Sequence, residues 1–181
     1  MAVKKDIIKY LHPDGIRDSD YRVVINSPIG RLCIISSEKG VRAIRLIGDF
    51  IPLDHQNEHT LSAVKQLKDY FSGQLTGFDL VLDTAEFTEF ANKVWNELVR
   101  IPYGKTISYA ELAFRLGDPL CIRAAAAANG RNPIPIIIPC HRVIGSDGSL
   151  TGFALGLDVK QKLLALENSS RFGVRQIDIF E

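Results

Sequence analysis

Between Arg131 and Val143 the chain reads Arg-Asn-Pro-Ile-Pro-Ile-Ile-Ile-Pro-Cys-His-Arg-Val. Pro133, Pro135 and Pro139 each fix φ, remove a backbone donor and bias the preceding residue away from helix. No helix or central strand tolerates that density of proline. The segment is therefore predicted to be a stiff, apolar, extended stretch that delivers Cys140 at its end, with His141 and Arg142 directly after it. A nucleophilic cysteine acts as its thiolate, and a nearby imidazole or cation lowers the thiol pKa. Neighbours on an extended chain point to opposite faces, so contact between Cys140 and His141 needs a local bend or a bridging water. The alternative is a buried, inert thiol beside a surface histidine. Cys33 and Cys121 read as packing residues.

Composition narrows the class. The chain has 181 residues, 46% apolar and 24% charged, which excludes a disordered protein and allows one sizeable domain or two small ones. No apolar run approaches the ~20 residues of a membrane span. The first fifteen residues carry no long apolar stretch followed by small residues, so no signal peptide is expected. Three cysteines are too few, and odd in number, for a disulfide framework. A reducing, cytoplasmic location follows as the expectation. There is no C-x-x-C pair to hold zinc. His55 and His59 have helical i, i+4 spacing but lack further ligands, and they read as surface histidines rather than a metal site. No metal and no cofactor are expected.

The elements predict an α+β chain. Tyr21–Asn26, Arg31–Ser36 and Val41–Leu46 are β-branched-rich runs separated by short turn signals, hence an antiparallel meander. Leu61, Val64, Leu67 and Phe71 recur at helical spacing, with Gly73 placed as a cap. Phe78, Leu80 and Leu82 alternate with Asp79, Val81 and Asp83, predicting one more strand. Phe87, Ala91, Val94, Trp95 and Leu98 make a helical stripe. Ser108-x-x-Glu111 predicts a capping box opening a helix that Gly117 closes. Asp118-Pro119 opens a second helix, to about Asn129, with Gly130 as its stop. This pair has helix-turn-helix shape, although a plain helical hairpin would look the same. Asp158-x-x-Gln161 is predicted to cap a last helix, and Glu167 near its end opposes the helix dipole.

The second helix of the pair is Arg123 followed by Ala124 to Ala128. Five alanines offer little to bury, but they let a backbone approach another surface closely. The total charge is +1, yet residues 1–90 carry 11 basic against 13 acidic residues and residues 91–181 carry 11 against 8. A net of −2 and a net of +3 are concealed in the sum. The basic half carries the helix pair, which suits a polyanionic partner.

Pro139-Cys140-His141-Arg142-Val143, preceded by Asn129-Gly130-Arg131-Asn132-Pro133 and followed by Gly148-Ser149-Leu150-Thr151-Gly152, resembles the O6-alkylguanine-DNA alkyltransferase family, the methylated-DNA–protein-cysteine methyltransferases. The resemblance is strong from about Phe87 to Glu167. It is looser in the first half, through Ser27-Pro28-Ile29-Gly30-Arg31-Leu32 and the strand after it. It implies a ribonuclease-H-like N-terminal domain over 1–86 and a winged-helix-like alkyl-transfer domain with a tail over 87–181. It implies a monomer that acts on double-stranded DNA containing O6-alkylguanine, using no cofactor. Cys140 would accept the alkyl group once, and His141, through a water, would take its proton. Glu167 would orient the imidazole, and Asn132 would brace the turn. Tyr109 would contact the base and the adjacent phosphate. The resemblance further places the helix pair in the minor groove, with the target base extruded. Arg123 would then fill the gap, Ala124, Ala125 and Ala128 would line the groove, and Arg131 would sit near phosphates. Val143, Phe153, Ala154 and Leu155 would line the base pocket.

Two departures matter. Where the family commonly has Tyr and two glycines, this chain has Phe153-Ala154-Leu155-Gly156. Phe153 keeps a ring and loses a hydroxyl, and Leu155 is expected to reduce tolerance for bulky adducts. The tail has no assigned motif, and Val174, Ile177, Ile179 and Phe180 are expected to pack back on the body. The competing readings are a lesion-binding module without chemistry, in which the acceptor cysteine would be replaced, and a cysteine hydrolase, which would need an oxyanion hole.

Overall fold

The short turns produce the meander they predict. In the computed structural model, which describes residues 19–48 and 55–172, β1 (Tyr21–Ser27), β2 (Gly30–Ser37) and β3 (Gly40–Ile47) form an antiparallel sheet in the order β1-β2-β3. Ile25 pairs with Leu32 and Ile34 with Ile44. Val23, Ile25, Leu32, Ile34 and Ile44 turn to the main core, while Cys33, Ile35 and Ala43 make a small cluster on the opposite face. Helix α1 (Glu58–Phe71) covers the sheet with Ala63, Leu67 and Tyr70. Asn57 and Thr60 form its capping box, and Ser36 Oγ donates to Asn57 Oδ1 at 2.7 Å.

The strand predicted over Phe78–Leu82 does not form. Leu82 makes one isolated parallel bridge to Val41, with Val41 N donating to Val81 O at 2.9 Å and Asp83 N to Val41 O at 2.8 Å. The free edge of β3 is divided. Further along it Ile44 N donates to Pro133 O at 2.9 Å, so neither neighbour has room for a ladder. Gly40 permits the close approach: at φ +154° a Cβ there would lie 2.5 Å from Val81 O.

In the second half α2 (Glu89–Val99) is capped by Thr88 and buries Ala91, Val94, Trp95 and Leu98. Short β4 (Ile107–Ser108) and β5 (Val143–Ile144) pair in parallel. Helix α3 (Tyr109–Arg115) is capped by Ser108 Oγ, which accepts from Glu111 N at 3.0 Å. The expected reciprocal bond is missing because Glu111 turns forward to pair with Arg115. After Gly117, Asp118 caps a 3-10 turn (Pro119–Cys121) that leads into α4 (Ile122–Gly130). Gly130 is the last helical residue and Arg131 the cap, so the expected glycine stop lies inside the helix. Helix α5 (Leu157–Glu167) starts after Gly156 with no side-chain cap. Asp158 lies in its first turn instead, where its charge favours the helix dipole. Helix α6 (Ser169–Phe172) follows. The tail residues Val174, Ile177, Ile179 and Phe180 lie outside the described residues. One apolar core joins both halves, from Val23 on β1 to Leu163 on α5. Among the described residues no helix is long and apolar enough to cross a membrane.

Candidate active site

The proline segment is not extended. Ile138 N donates back to Ile134 O at 3.0 Å, closing a tight loop with Ile136 at φ 78°. A β-branched residue there costs about 1–3 kcal/mol and persists only when its surroundings over-determine it. Burial of Ile134, Ile136 and Ile138 supplies part of that, and Asn132 supplies the rest. Its Oδ1 accepts from Ile134 N at 3.0 Å. Its Nδ2 donates to Ile138 O at 2.8 Å and to Cys140 Sγ at 3.0 Å. Asn132 thus braces both ends of the loop and also touches the sulfur. The N-terminal sheet holds the same loop from outside. Arg45 Nη1 donates to Pro133 O at 2.8 Å, beside the Ile44 amide.

Cys140–Arg142 is a 3-10 turn rather than an extended run, yet His141 Nδ1 makes no hydrogen bond to the thiol. Cys140 is 2% exposed. Burial pushes its thiol up to about 11, against the Asn132 hydrogen bond and the charge of Lys160. The resting sulfur is therefore a thiol, although its neighbours favour the thiolate. His141 is fully buried. Its Nε2 lies 2.8 Å from Glu167 Oε1. An ionised carboxylate only accepts, so Nε2 carries the hydrogen and Nδ1 is the free lone pair. Nδ1 has no hydrogen-bond partner among the described residues. Burial lowers the imidazole pKa and Glu167 works against it, which leaves a neutral base.

Glu167 resolves the opposition between its charge and the end of α5. Arg142 Nε donates to Oε2 at 2.9 Å and Nη2 to Oε1 at 2.8 Å. Gly104 N donates to Oε2 at 3.2 Å, and Tyr70 OH to Oε1 at 2.8 Å. Burial opposes its ionisation, but hydrogen bonds from His141 and Arg142 outweigh it and bring the carboxyl down to about 2. Arg142 also donates to Ile101 O at 2.6 Å. Sequence reasoning missed the parts played by Arg142 and Tyr70. Adjacency to Cys-His was a usable signal for Arg142. Nothing local marks Tyr70, which is 97 residues from its partner.

Lys160 was also missed. Its buried Nζ donates to Val143 O at 2.6 Å and Thr151 O at 2.7 Å, and burial draws its pKa down to about 8. This fixes the loop from Thr151 to Gly156 against the turn. Tyr109 OH reaches Thr151 O and Gly152 O, both at 3.4 Å. Phe153 stands edge-on to His141, with ring centroids 6.4 Å apart. Val143 is buried, Leu155 half-buried and Ala154 exposed.

On α4, Arg123 and Ala124 are exposed, as is Arg131 after it. Ala125 and Ala128 are fully buried, which corrects the expectation that they line a groove. Their i, i+3 spacing turns them to the core, and their small side chains bring α4 so near α2 that Trp95 Nε1 donates to Ala128 O at 3.0 Å. Two of the five alanines are thus core packing. Ala127 is exposed in their place.

A buried cysteine on a turn, held by an asparagine and followed by a histidine–glutamate pair, stands beside a helix-turn-helix. Residues 21–84 match the 6-O-methylguanine DNA methyltransferase ribonuclease-like domain, and residues 89–169 match the DNA binding domain of the same enzyme. The chain belongs to the 6-O-methylguanine DNA methyltransferase family. It is 47% identical over 156 residues to the methylated-DNA–protein-cysteine methyltransferase of Methanosarcina barkeri, covering 83% of this chain and 98% of that one. It is 45% identical over 153 residues to that of Mycolicibacterium paratuberculosis, covering 82% and 92%. The crystal structure of Mycobacterium tuberculosis O6-methylguanine methyltransferase aligns at TM-score 0.74 and 41% identity, over 83% of this chain and 93% of that one. The structure of the OGT of that organism in complex with DNA aligns at TM-score 0.74 and 42% identity, over 82% and 93%.

Proposed function

We propose that this family member repairs DNA by direct reversal, moving the alkyl group, chiefly methyl, from O6 of guanine in duplex DNA to Sγ of Cys140. The observation that carries the reading is Cys140 on a turn with Asn132 at its sulfur and His141 backed by Glu167. The thiol proton passes through a water to Nδ1 of His141. Glu167, kept ionised by Arg142, stabilises the imidazolium that forms. The sulfur attacks the alkyl carbon, the S–C bond forms, and the O6–C bond breaks with its electron pair left on the guanine. The guanine takes up one proton, so the net change is one thiol hydrogen exchanged for one alkyl group. Tyr109 OH donates to the departing base. The thioether is stable, so each molecule acts once.

Because Cys140 is buried, the base must leave its stack to reach it, paying a few kcal/mol of unstacking. Arg123, exposed at the start of α4, fills the gap. Ala124 lines the minor groove, Arg131 lies near phosphates, and Val143, Phe153, Ala154 and Leu155 bound the pocket. Residues 1–86 serve as scaffold and 87–181 as the alkyl-transfer domain of a monomer. The test is to incubate the full chain with duplex DNA carrying O6-methylguanine and weigh the protein. One methyl gained per molecule, located on Cys140, supports the reading. Binding without mass gain, or turnover without an adduct, overturns it.

A further inference from the structure

The N-terminal half carries no residue in the mechanism above, yet besides the Arg45 contact to Pro133 it sends a hydroxyl to the carboxylate behind His141. Tyr70 on α1 is fully buried, its ring packed among Phe71, Phe78 and Tyr103. A buried phenol needs a partner for its hydroxyl. The partner is Oε1 of Glu167, the same oxygen that holds His141. That oxygen also accepts from Arg142 Nη2. Three donors thus converge on an atom with two lone pairs, while Oε2 takes two more from Arg142 and Gly104. Each donor on Oε1 withdraws charge from the bond to the imidazole.

We propose that Tyr70 is a positioning residue for alkyl transfer, its hydroxyl sharing Glu167 Oε1 with His141 and so limiting how strongly the carboxylate holds the imidazole. The inference rests on the functional reading above. The charged and titratable groups facing the pair are Arg142 on the same turn, Lys160 on α5, Cys140, Tyr103 and Tyr70 itself. Arg142 and Lys160 disfavour a protonated ring, and Glu167 favours it. Tyr70 reduces the effect of Glu167 without carrying charge. Removing its hydroxyl leaves more of the carboxylate's charge to His141, so the ring is protonated at higher pH. The neutral base is then lost earlier as pH falls.

The experiment follows the His141 ring by NMR titration in the full chain without DNA, and the single-turnover methyl-transfer rate against pH. In Tyr70→Phe the titration midpoint and the acid limb of the rate are expected to rise together, by about half a pH unit. In a Glu167→Gln background the Tyr70→Phe shift is expected to vanish, because the charge it modulates is gone. Site-specific 3-fluorotyrosine at position 70, a stronger donor of nearly the same shape, is expected to move the midpoint down. It decides the matter if Tyr70→Phe does not fold. Equal midpoints, a ring that stays neutral in both proteins down to acid unfolding, or a shift that persists beside Glu167→Gln overturns the proposal. Failure of the functional reading shows separately, as absence of methyl transfer by the unaltered protein.

Discussion

The two halves of this molecule carry information differently. The first half is built from local patterns: short turns, β-branched runs and an amphipathic helix, with no chemistry visible in its residues. The second half carries a motif whose residues lie within a few positions of one another. Sequence alone therefore makes the first half look like scaffold and the second like the whole enzyme. The structure narrows that contrast. Arg45 and Ile44 of β3 hold Pro133, one residue from the Asn132 that touches the sulfur, and Tyr70 of α1 holds Glu167. A site can be written in one half and positioned by the other.

The largest effect tests the second half alone. Cys140→Ser abolishes the one-methyl mass gain, because a hydroxyl of much higher pKa replaces the thiol, while binding to O6-methylguanine duplex persists. A residual stoichiometric adduct at another position would remove the chemistry from this turn. Next, Arg123→Ala is expected to slow transfer from duplex DNA by about 100-fold and leave reaction with free O6-benzylguanine unchanged, since only the duplex has a stack to replace. Equal losses on both substrates would detach the helix pair from base extrusion.

Arg45→Met tests whether the first half reaches the chemistry. It removes a charged donor from Pro133 O, and single-turnover transfer is expected to fall about tenfold with DNA affinity unchanged. An unaltered rate, with only a lower melting temperature, would return the sheet to pure support. Gly40→Ala is the matching control. A Cβ 2.5 Å from Val81 O at φ +154° is expected to cost about 2–3 kcal/mol in urea unfolding, with little change in the rate of the folded fraction.

Acid acts on the Glu167 cluster. The Glu167 carboxyl lies at about 2 in the folded chain, below its ordinary value of 4.5. Its folded pKa is depressed, so its stabilisation is complete above about 4.5 and is lost as pH falls towards 2. Urea unfolding between pH 6 and 3 is expected to show a steeper loss in the unaltered chain than in Glu167→Gln. A further expected effect is on selectivity. Leu155→Gly is expected to raise the rate with O6-benzylguanine relative to O6-methylguanine in DNA by about tenfold, the scale of one methylene in a pocket. An unchanged ratio would mean that Leu155 does not bound the adduct.

Much of the fold is legible in the residues because its causes are local. The meander follows from two-residue turns, and α3 and α4 follow from Ser108, Gly117 and Asp118-Pro119. Errors arise where a local pattern met a tertiary competitor. Phe78–Leu82 alternates like a strand, but the edge it would join is shared with Pro133. Ser108-x-x-Glu111 spells a capping box, but Arg115 claims the glutamate. The prolines argue for an extended segment, yet buried isoleucines and Asn132 hold a left-handed turn at Ile136.

Residue type and spacing survive in one dimension, and they single out Cys140 beside His141, a carboxylate at the far end of the last predicted helix and a helix pair in the more basic half; the roles given to those side chains come from the family resemblance. Packing in three dimensions is what turns Ala125 and Ala128 inward, gathers five donors on Glu167, and brings Tyr70 and Arg45 to the site. Hydrogen bonds of that kind depend on ångström-scale placement of groups far apart in the chain, and only the packed core fixes that placement.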